Sequence, residues 1–318
     1  MSIECVVVDA GARYGLHPTW EELRSLAQFH LFEMDHEESK RLERKYREDN
    51  NVHIYPMALY SSDCTLKYRV SVHRGLNSVF TSNHSLLRES DYKQREFAIS
   101  GENVVEARSV DSLFEANPVH FMKLDVEGAE YEVLQGAKRQ LKTNLLAVRS
   151  EVMFAPIYND APLFGDIHRV LLAEGFELLN IDYTGAGNKT GRYTLPSRYG
   201  KLLSSDAVWT LNNERLFSFK GKELTENIIR LSLFLMYNNA TDIAIDVLTR
   251  AVNHAGINLA GYHNDPLFIA LHKQVLLLFK SLIVMPMFNE VDIMTTYREI
   301  FGQSFPLMNA FYESPMFT

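Results

Sequence analysis

The sequence predicts an α/β fold in which a mostly parallel sheet is covered by helices on both faces and is followed by an all-helical C-terminal extension. Three observations predict it. Short apolar runs alternate with helical patterns up to about residue 212. Residues 120–134 begin as an apolar strand, carry carboxylates and continue directly into a helical pattern. Beyond about Asn213 the periodic segments are helical. We therefore expect two domains, residues 1–212 and residues 213–318.

The first elements follow from local patterns between residues 4 and 72. A β-branched run at residues 4–8 ends in a turn with Gly11 and Gly15, and a helical pattern covers residues 18–27. Strand, glycine turn and helix together open a βαβ unit. The next predicted elements are a strand at residues 29–33, a helix at 37–46, a strand at 52–59 and an antiparallel ribbon at 65–72.

The middle of the chain interrupts this alternation and then resumes it. Residues 73–101 are polar with weak periodicity, which fits either a substrate-facing insertion or a long irregular connection. After the strand and helix of residues 120–134, the predicted elements are strands at 145–152, 176–181 and 207–211, a helix at 163–173 and a loop rich in Gly and Arg at 184–203.

The C-terminal region is predicted to be a helical domain or cap. Its predicted helices are residues 226–237, 241–255, 267–284 and 291–301. Their apolar faces fit a lid over an active site, a homo-oligomer interface or a surface that docks a protein partner. The apolar stretch 274–288 contains Lys280 and Pro286, which favours a buried helix over a membrane span.

Composition narrows the class of protein. The chain has 318 residues, 46% hydrophobic content and a formal net charge of -8. An acidic chain without a clustered basic patch argues against a nucleic-acid partner, because phosphate contacts need Lys and Arg. Cys5 and Cys64 provide neither a disulfide framework nor a metal-ligand spacing. The first residues lack a secretory signal pattern, so the expected localisation is cytoplasmic.

Carboxylates mark the carboxyl end of the strand near residue 125. Asp125 and Glu127 follow this buried strand directly, and doubly wound sheets bind their ligands at that edge. Glu130 falls in the first turn of the following helix, where a carboxylate complements the helix dipole. We therefore interpret Glu130 as a structural residue rather than a catalytic one.

The turn after the first strand predicts a nucleoside-bearing ligand. Gly11 and Gly15 permit close approach of the backbone to a ligand, but Arg13 stands where a dinucleotide fingerprint has its second glycine. A cofactor without a pyrophosphate is therefore favoured over a nicotinamide dinucleotide. Glu33 ends the second strand about 20 residues after the turn, the separation at which an acidic side chain takes the hydroxyls of a ribose. Asp35 is the nearby competitor for that role.

Several motifs occur in the order seen in FkbM-type S-adenosylmethionine-dependent methyltransferases, which the sequence resembles over roughly residues 3–212. They are residues 9–15 (DAGARYG), 32–33 (FE), 110–113 (VDSL), 122–130 (MKLDVEGAE), 133–137 (VLQGA) and 150–152 (SEV). The K-x-D-V-E-G-A-E element is the specific part. The resemblance implies a Rossmann-like class I methyltransferase sheet of seven strands with one antiparallel strand. It also implies S-adenosylmethionine as the cofactor and O-methylation of a hydroxyl on a sugar, glycan or secondary metabolite.

The resemblance also implies positions for the cofactor. By motif position, Gly11 and Gly15 would line its methionine and ribose side, and Glu33 would take the ribose hydroxyls. The turn from Ala58 to Asp63 would flank the adenine. Asp9 would orient the glycine loop or the cofactor amine. One departure concerns the first motif, where Arg13-Tyr14 replaces the Asn-Ile pair common in the family.

Methyl transfer to a hydroxyl requires alignment of the oxygen and removal of a proton. Asp125, Glu127 and Glu151 end neighbouring predicted strands and are the expected catalytic groups. We expect Asp125 or Glu127 to position or deprotonate the hydroxyl, with Glu151 supporting. A Mg²⁺ ion held by the same carboxylates is a second mechanism, but hydrogen-bonded carboxylates are the favoured interpretation and no metal site is predicted.

Two further alternatives remain open. His17, His36 and His120 lie near predicted strand ends or turns, where one could act as the base, although such histidines are more often structural. The fold could also serve a non-catalytic binding protein whose C-terminal helices recruit a partner. The clustered carboxylates favour the enzyme, since a binding protein has no physical need for them.

Overall fold

The computed structural model describes residues 2–88, 91–182, 189–190, 201–283, 285 and 287–302. The strands are β1 Val6–Ala10, β2 Gln28–Phe32, β3 Val52–Tyr55, β4 Ala58–Leu59, β5 Cys64–Ser71, β6 Ile99–Arg108, β7 Phe121–Leu124, β8 Ala147–Met153, β9 Phe176–Asp182, β10 Lys189–Thr190, β11 Lys201–Leu202 and β12 Ser204–Leu211. The helices are α1 Pro18–Glu21, α2 His36–Lys45, α3 His84–Leu87, α4 Asp91–Glu96, α5 Val110–Leu113, α6 Glu130–Gln135, α7 Lys138–Thr143, α8 Phe164–Ala173, α9 Asn213–Leu216, α10 Gly221–Tyr237, α11 Thr241–Asn253, α12 Pro266–Ile283 and α13 Glu290–Phe301.

The main sheet has seven strands in the order β3-β2-β1-β7-β8-β12-β9. The pairs from β3 to β8 are parallel, whereas β12 is antiparallel to both of its neighbours, β8 and β9. The fold class is therefore confirmed as α/β and Rossmann-like with one antiparallel strand. The chain order reverses between β1 and β7, and a crevice for ligands opens at the carboxyl ends of strands at such a switch point.

The central strands are buried runs interrupted by single charged residues. All residues of β1 and β7 are buried, as expected for parallel strands covered on both faces. Asp9 in β1 and Lys123 in β7 are partners in the register of the two strands. These opposite charges lie side by side within the apolar centre of the sheet, near its carboxyl edge.

Two predicted elements differ in the structure. The helix predicted at residues 18–27 contains only one helical turn, α1, because the following amide groups of Leu23, Arg24 and Leu26 bond to carbonyls three residues back and form tight turns. The strand predicted at 52–59 is two strands in different sheets. Pro56 lies between β3 and β4 and has no N–H to continue a ladder.

A second sheet lies between β3 and β7 in the sequence, in the order β4-β6-β5. β5 pairs antiparallel with β6, which confirms the ribbon predicted near residue 65. The prediction missed β6, because most of its side chains are exposed and its sequence has no apolar face to read. Tyr68, Val70 and Val105 form a small apolar cluster on this sheet, and Met34 and Ala58 pack against it. This segment, residues 60–108, is called the insertion below.

The described residues form two compact units, Glu4–Asn212 and the residues from Asn213 onward together with residues 2 and 3. In the second unit the described residues after Asn213 form helices and no strand, with α10 contacting α11 and α12. Within the described part of the chain, α12 is the one helix that meets the length and composition of a membrane span, with a mean hydropathy of 1.5. It buries Leu267, Leu271 and Phe279 among others. The loop predicted at 184–203 lies largely outside the described residues.

Candidate functional site

A cavity of about 200 Å³ opens at the carboxyl ends of β1, β2 and β7. Its wall combines the main sheet with the insertion. Of the residues predicted for the site, Gly11, Glu33, Ala58, Asp125 and Glu127 line it. The insertion contributes Tyr60, Leu66, residues 73–77 and Val79 to the same wall. Of the two interpretations of residues 73–101, the structure therefore supports the one in which this segment faces the site.

Gly11 is required where the first loop passes the end of β7. Its φ is +78°, and a Cβ there would lie 1.8 Å from the backbone oxygen of Asp125. Gly15 has a different surrounding. Its φ is +91°, a Cβ would lie 2.4 Å from the Tyr46 hydroxyl, and the residue is not part of the cavity lining. Gly11 thus contributes to the cavity wall, whereas Gly15 packs the loop against the end of α2.

Glu33 follows β2, is 5% exposed and is one of the residues that line the cavity. Its Oε1 accepts a hydrogen bond of 2.7 Å from the amide of Asp35. Burial raises the pKa of Glu33 to about 7. Asp35, the competitor for the ribose role, is outside the lining. The Asp35 side chain caps α2 by accepting hydrogen bonds from the backbone amides of Glu37 and Glu38. Of the two acids, Glu33 is therefore the one that lines the cavity.

Asp9 is fully buried and lies beside the cavity rather than in its lining. Its Oδ1 accepts a 3.1 Å hydrogen bond from Nζ of Lys123, which also donates to Oδ2 of Asp125 at 3.3 Å. Burial raises the pKa of Asp9 to about 6, and the neighbouring ammonium opposes that rise. Burial disfavours the charged form of Lys123, but the negative charges of Asp9 and Asp125 outweigh this effect and raise the pKa of Lys123 above its ordinary value. Lys123 therefore links the buried Asp9 to the cavity-lining Asp125.

Three carboxylates lie close together beside the cavity, with Asp125 and Glu127 in its lining and Glu151 outside it. One oxygen each of Asp125, Glu127 and Glu151 lies within 4.8 Å of the others, and among the described residues these three form a set that could hold a metal ion. Burial, together with the charges of Glu127 and Asp125, raises the pKa of Glu151 well above its usual range. Oε2 of Glu151 is buried and has no hydrogen-bond partner among the described residues. The three predicted catalytic acids are therefore neighbours.

Glu127 is held in place by two side chains that the sequence did not single out. Its backbone is in the left-handed region, with φ +54°. The Tyr158 hydroxyl donates to Oε2 of Glu127 at 2.7 Å, and Oγ of Ser78 donates to its backbone oxygen at 2.6 Å. Ser78 lies in the insertion and Tyr158 follows β8. Neither carries a local sequence signal, because both act across long sequence separations.

Glu130 stabilises the turn that carries Glu127. The Glu130 side chain is 2% exposed, and its carboxylate accepts the amides of Val126 at 2.8 Å and Gly128 at 3.1 Å. Burial raises its pKa to about 7. These contacts support the interpretation of Glu130 as a structural residue.

The remaining predicted residues lie outside the cavity lining. Asp63 is exposed and binds Arg108 and Ser112, whereas Ala58, from the same predicted turn, lines the cavity. Two candidate histidines make structural contacts, since Nδ1 of His17 accepts the amide of Thr19 and Nδ1 of His120 accepts that of Val6. Burial and the nearby Arg149 and Lys123 lower the pKa of His17 to about 4. His36 is the first residue of α2.

The sheet order and the cavity at its switch point define a Rossmann-like methyltransferase fold. The model of the methyltransferase FkbM domain matches residues 9–178, more than half of the chain. The chain therefore belongs to the FkbM methyltransferase family. No curated protein matches it.

Solved structures with a similar fold share little sequence with this chain. The methyltransferase FkbM from Methylobacillus flagellatus is 14% identical with a TM-score of 0.37, and the match covers 66% of this chain and 44% of that one. An rRNA methylase from Streptococcus thermophilus is 9% identical with a TM-score of 0.33, covering 67% and 91%. A SAM-dependent methyltransferase from Aquifex aeolicus is 10% identical with a TM-score of 0.27, covering 65% and 84%. The chain thus spans less than half the length of the first of these.

Proposed function

We propose that this protein is an S-adenosylmethionine-dependent O-methyltransferase that acts on a hydroxyl of a sugar, glycan or secondary metabolite. One observation carries the proposal. A single cavity at the switch point of the sheet has the buried carboxylate of Glu33 in its wall and the acids Asp125 and Glu127 at its end. The first suits a ribose and the second suits a hydroxyl that must lose a proton.

The residues present fit the cofactor. Gly11 lies so close to the backbone after β7 that a Cβ would not fit there. Without a side chain at this position, the backbone after β1 can approach a ligand closely. Glu33 would accept hydrogen bonds from the two ribose hydroxyls. The part of the cavity wall formed by Met34, Ala58 and Leu59 is apolar and suits the adenine ring. When bound, S-adenosylmethionine supplies an electrophilic methyl group on a sulfonium that is its own leaving group.

The carboxylates divide the work on the acceptor. Lys123 donates a hydrogen bond to Oδ2 of Asp125 at 3.3 Å and so restrains this carboxylate, and we assign Asp125 the positioning of the hydroxyl. Glu127 is oriented by the neutral hydroxyl of Tyr158, and we assign it the removal of the proton. Glu151 supports both, because its buried carboxyl can share a proton with its neighbours.

Variants of the three acids test this assignment. D125N, E127Q and E151Q should each abolish methyl transfer while leaving the Kd for S-adenosylmethionine within about twofold, because none of these side chains is assigned to the cofactor. E115Q, at an exposed position outside the lining, is the matched control. The readout is mass spectrometry of metabolites and surface glycans incubated with and without protein, searching for the gain of one methyl group. Unchanged turnover in all three variants would refute the assignment.

A metal-assisted mechanism is the second candidate, carried by the mutual distances within the same carboxylate set. Hard oxygen ligands suit Mg²⁺, and a bound cation would lower the pKa of a hydroxyl. Lys123 already places a positive charge beside Asp125, which favours the mechanism without a metal. Full turnover after EDTA treatment supports that mechanism, and loss of turnover restored by Mg²⁺ supports the alternative.

Two other functions are separated by simple measurements. Isothermal titration with S-adenosylmethionine tests the non-catalytic alternative, since a protein that only recruits partners through its C-terminal helices need not bind it. Total RNA serves as a third acceptor class in the mass-spectrometric assay. The net charge of -8 disfavours RNA as the acceptor, and methylated RNA would overturn the choice of a sugar, glycan or metabolite.

A further inference from the structure

A group of basic side chains surrounds the mouth of the cavity. Arg13, Arg41, His73 and Arg74, here called the arginine rim, line a shallow depression together with Glu38. Arg13, His73 and Arg74 also line the main cavity, so the depression and the cavity are continuous. We propose that the arginine rim binds an anionic group, a carboxylate or a phosphate, on the molecule that receives the methyl group. This inference rests on the proposed function.

Arg13 and Arg74 have more N–H donors than there are hydrogen-bond acceptors around them in the described part of the chain. Arg13 and Arg74 each donate from one nitrogen to the same atom, Oδ2 of Asp35, at 3.3 and 3.4 Å. The other oxygen of Asp35 is occupied by the amides that begin α2. A guanidinium has five N–H donors in a planar fork. In the described part of the chain, this one shared oxygen is the hydrogen-bond acceptor of both side chains.

The charge balance of the rim is positive in an acidic protein. Three arginines face two acids, because Arg41 pairs with Glu38 at 2.6 Å while Asp35 is shared by Arg13 and Arg74. Within the rim itself this leaves one positive charge in excess, in a chain with a net charge of -8. Glu33, the next acid along the cavity wall, also interacts with Arg13 but is assigned to the ribose. Arginine forks bind carboxylates and phosphates with two parallel hydrogen bonds, so the rim selects an anionic ligand over a neutral one.

The position of Arg74 points to the acceptor as the source of the anion. Arg74 belongs to the insertion rather than to the Rossmann-like sheet, and its side chain is 52% exposed at the mouth. Of the residues assigned to the cofactor, Gly11, Glu33 and Met34 lie on loops of the main sheet and Ala58 and Leu59 form β4, so all of them precede the insertion. The methionine portion of the cofactor also carries a carboxylate, so the experiment must separate the two sources.

The first arm of the test fractionates the metabolite extract on an anion exchanger before incubation with the protein. We expect methylation only in the retained, anionic fraction. Methylation confined to the unretained fraction would overturn the anionic acceptor while leaving the proposed methyltransferase intact. Absence of methylation in every fraction would overturn both.

The second arm measures kinetics on the retained fraction. R13A and R74A should each raise the apparent KM at least about tenfold with little change in kcat, as expected for loss of a charge-assisted contact. R74K keeps the charge but loses the planar fork, and we expect an intermediate KM. R44A is the matched control, because Arg44 is an exposed α2 residue that bonds to the Lys40 carbonyl and is absent from both linings. Unchanged KM in R13A and R74A would overturn the proposal.

The third arm identifies the source of the anion. The Kd values of S-adenosylmethionine and of its decarboxylated analogue are measured for wild type, R13A and R74A by titration. We expect each variant to change the two Kd values equally or not at all. If the variants weaken S-adenosylmethionine but not the analogue, the rim binds the cofactor carboxylate and the acceptor assignment is wrong.

Discussion

The hydrogen bond from Tyr158 to Glu127 gives the sharpest prediction about catalysis. Y158F removes only the hydroxyl, and the ring keeps its place in an apolar cluster with Phe97, Ile157 and Leu203. A hydrogen bond to a charged group contributes about 1.5 to 3 kcal/mol, and each 1.4 kcal/mol is a factor of about ten. If the bond positions Glu127 for proton removal, kcat should fall by roughly ten- to a hundredfold while the Kd for S-adenosylmethionine is unchanged.

The pH dependence provides a readout that a loss of stability would not imitate. The hydroxyl donates a hydrogen bond to the ionised carboxylate of Glu127 and stabilises it, so removal of the hydroxyl should raise the pKa of that carboxyl. The base is then lost at a higher pH, and the acid limb of the kcat profile moves upward. Y68F is the control, since Tyr68 is also buried and, among the described residues, its hydroxyl is hydrogen-bonded only to Asn103, at 3.4 Å. An unchanged acid limb with normal kcat would refute the role of Tyr158.

Three further predictions concern binding and stability. Because burial raises the pKa of Glu33 to about 7, S-adenosylmethionine affinity in wild type should fall as the pH drops below about 7, and E33Q should remove this dependence; titration at several pH values measures it. G11A should lower the free energy of unfolding by about 1 to 3 kcal/mol or more from strain at φ +78° and the clash with β7, measured by urea denaturation. K123M should lower it by about 3 to 5 kcal/mol at neutral pH, because it leaves the Asp9 charge buried and unpaired.

Matched variants decide the stability predictions. G101A is the control for G11A, since a Cβ at Gly101 meets nothing within 4 Å. The defect of K123M should shrink as the pH falls through the range in which Asp9 takes up a proton, and D9N/K123M should recover most of the loss. A K123M protein as stable as wild type at neutral pH would show that the pair with Asp9 contributes little.

The sequence predicted the parts of the fold that local patterns encode. The apolar strands β1 and β7 and the helix after β7 are visible as changes of period, and the candidate acids Asp125 and Glu127 follow from their place at a strand end. The exposed strand β6 has no such period, so it was missed. The antiparallel β12 was expected only through the resemblance, because strand direction depends on pairing between distant segments.

The same distinction holds for the site residues: local patterns predicted some of them, whereas others depend on contacts between distant segments. Sequence spacing favoured Glu33 over the nearby Asp35 for the ribose role, and although both acids are buried, only Glu33 lies in the cavity lining. It also treated Gly11 and Gly15 alike, although their surroundings differ. Tyr158 could not be predicted at all, because its partner Glu127 lies 31 residues away and no local motif marks the contact.

The hydrogen bond from Ser78 to the backbone of Glu127 couples the shape of the cavity wall to the position of the proposed base. Ser78 lies in the insertion that forms part of the cavity wall, and the same hydroxyl fixes the turn that carries the proposed base. A substitution that reshapes this wall to admit a different acceptor therefore also moves the group that removes its proton. Acceptor specificity and kcat should therefore change together when the sequence of this insertion changes. A family member with a different insertion is expected to differ in kcat as well as in its acceptor.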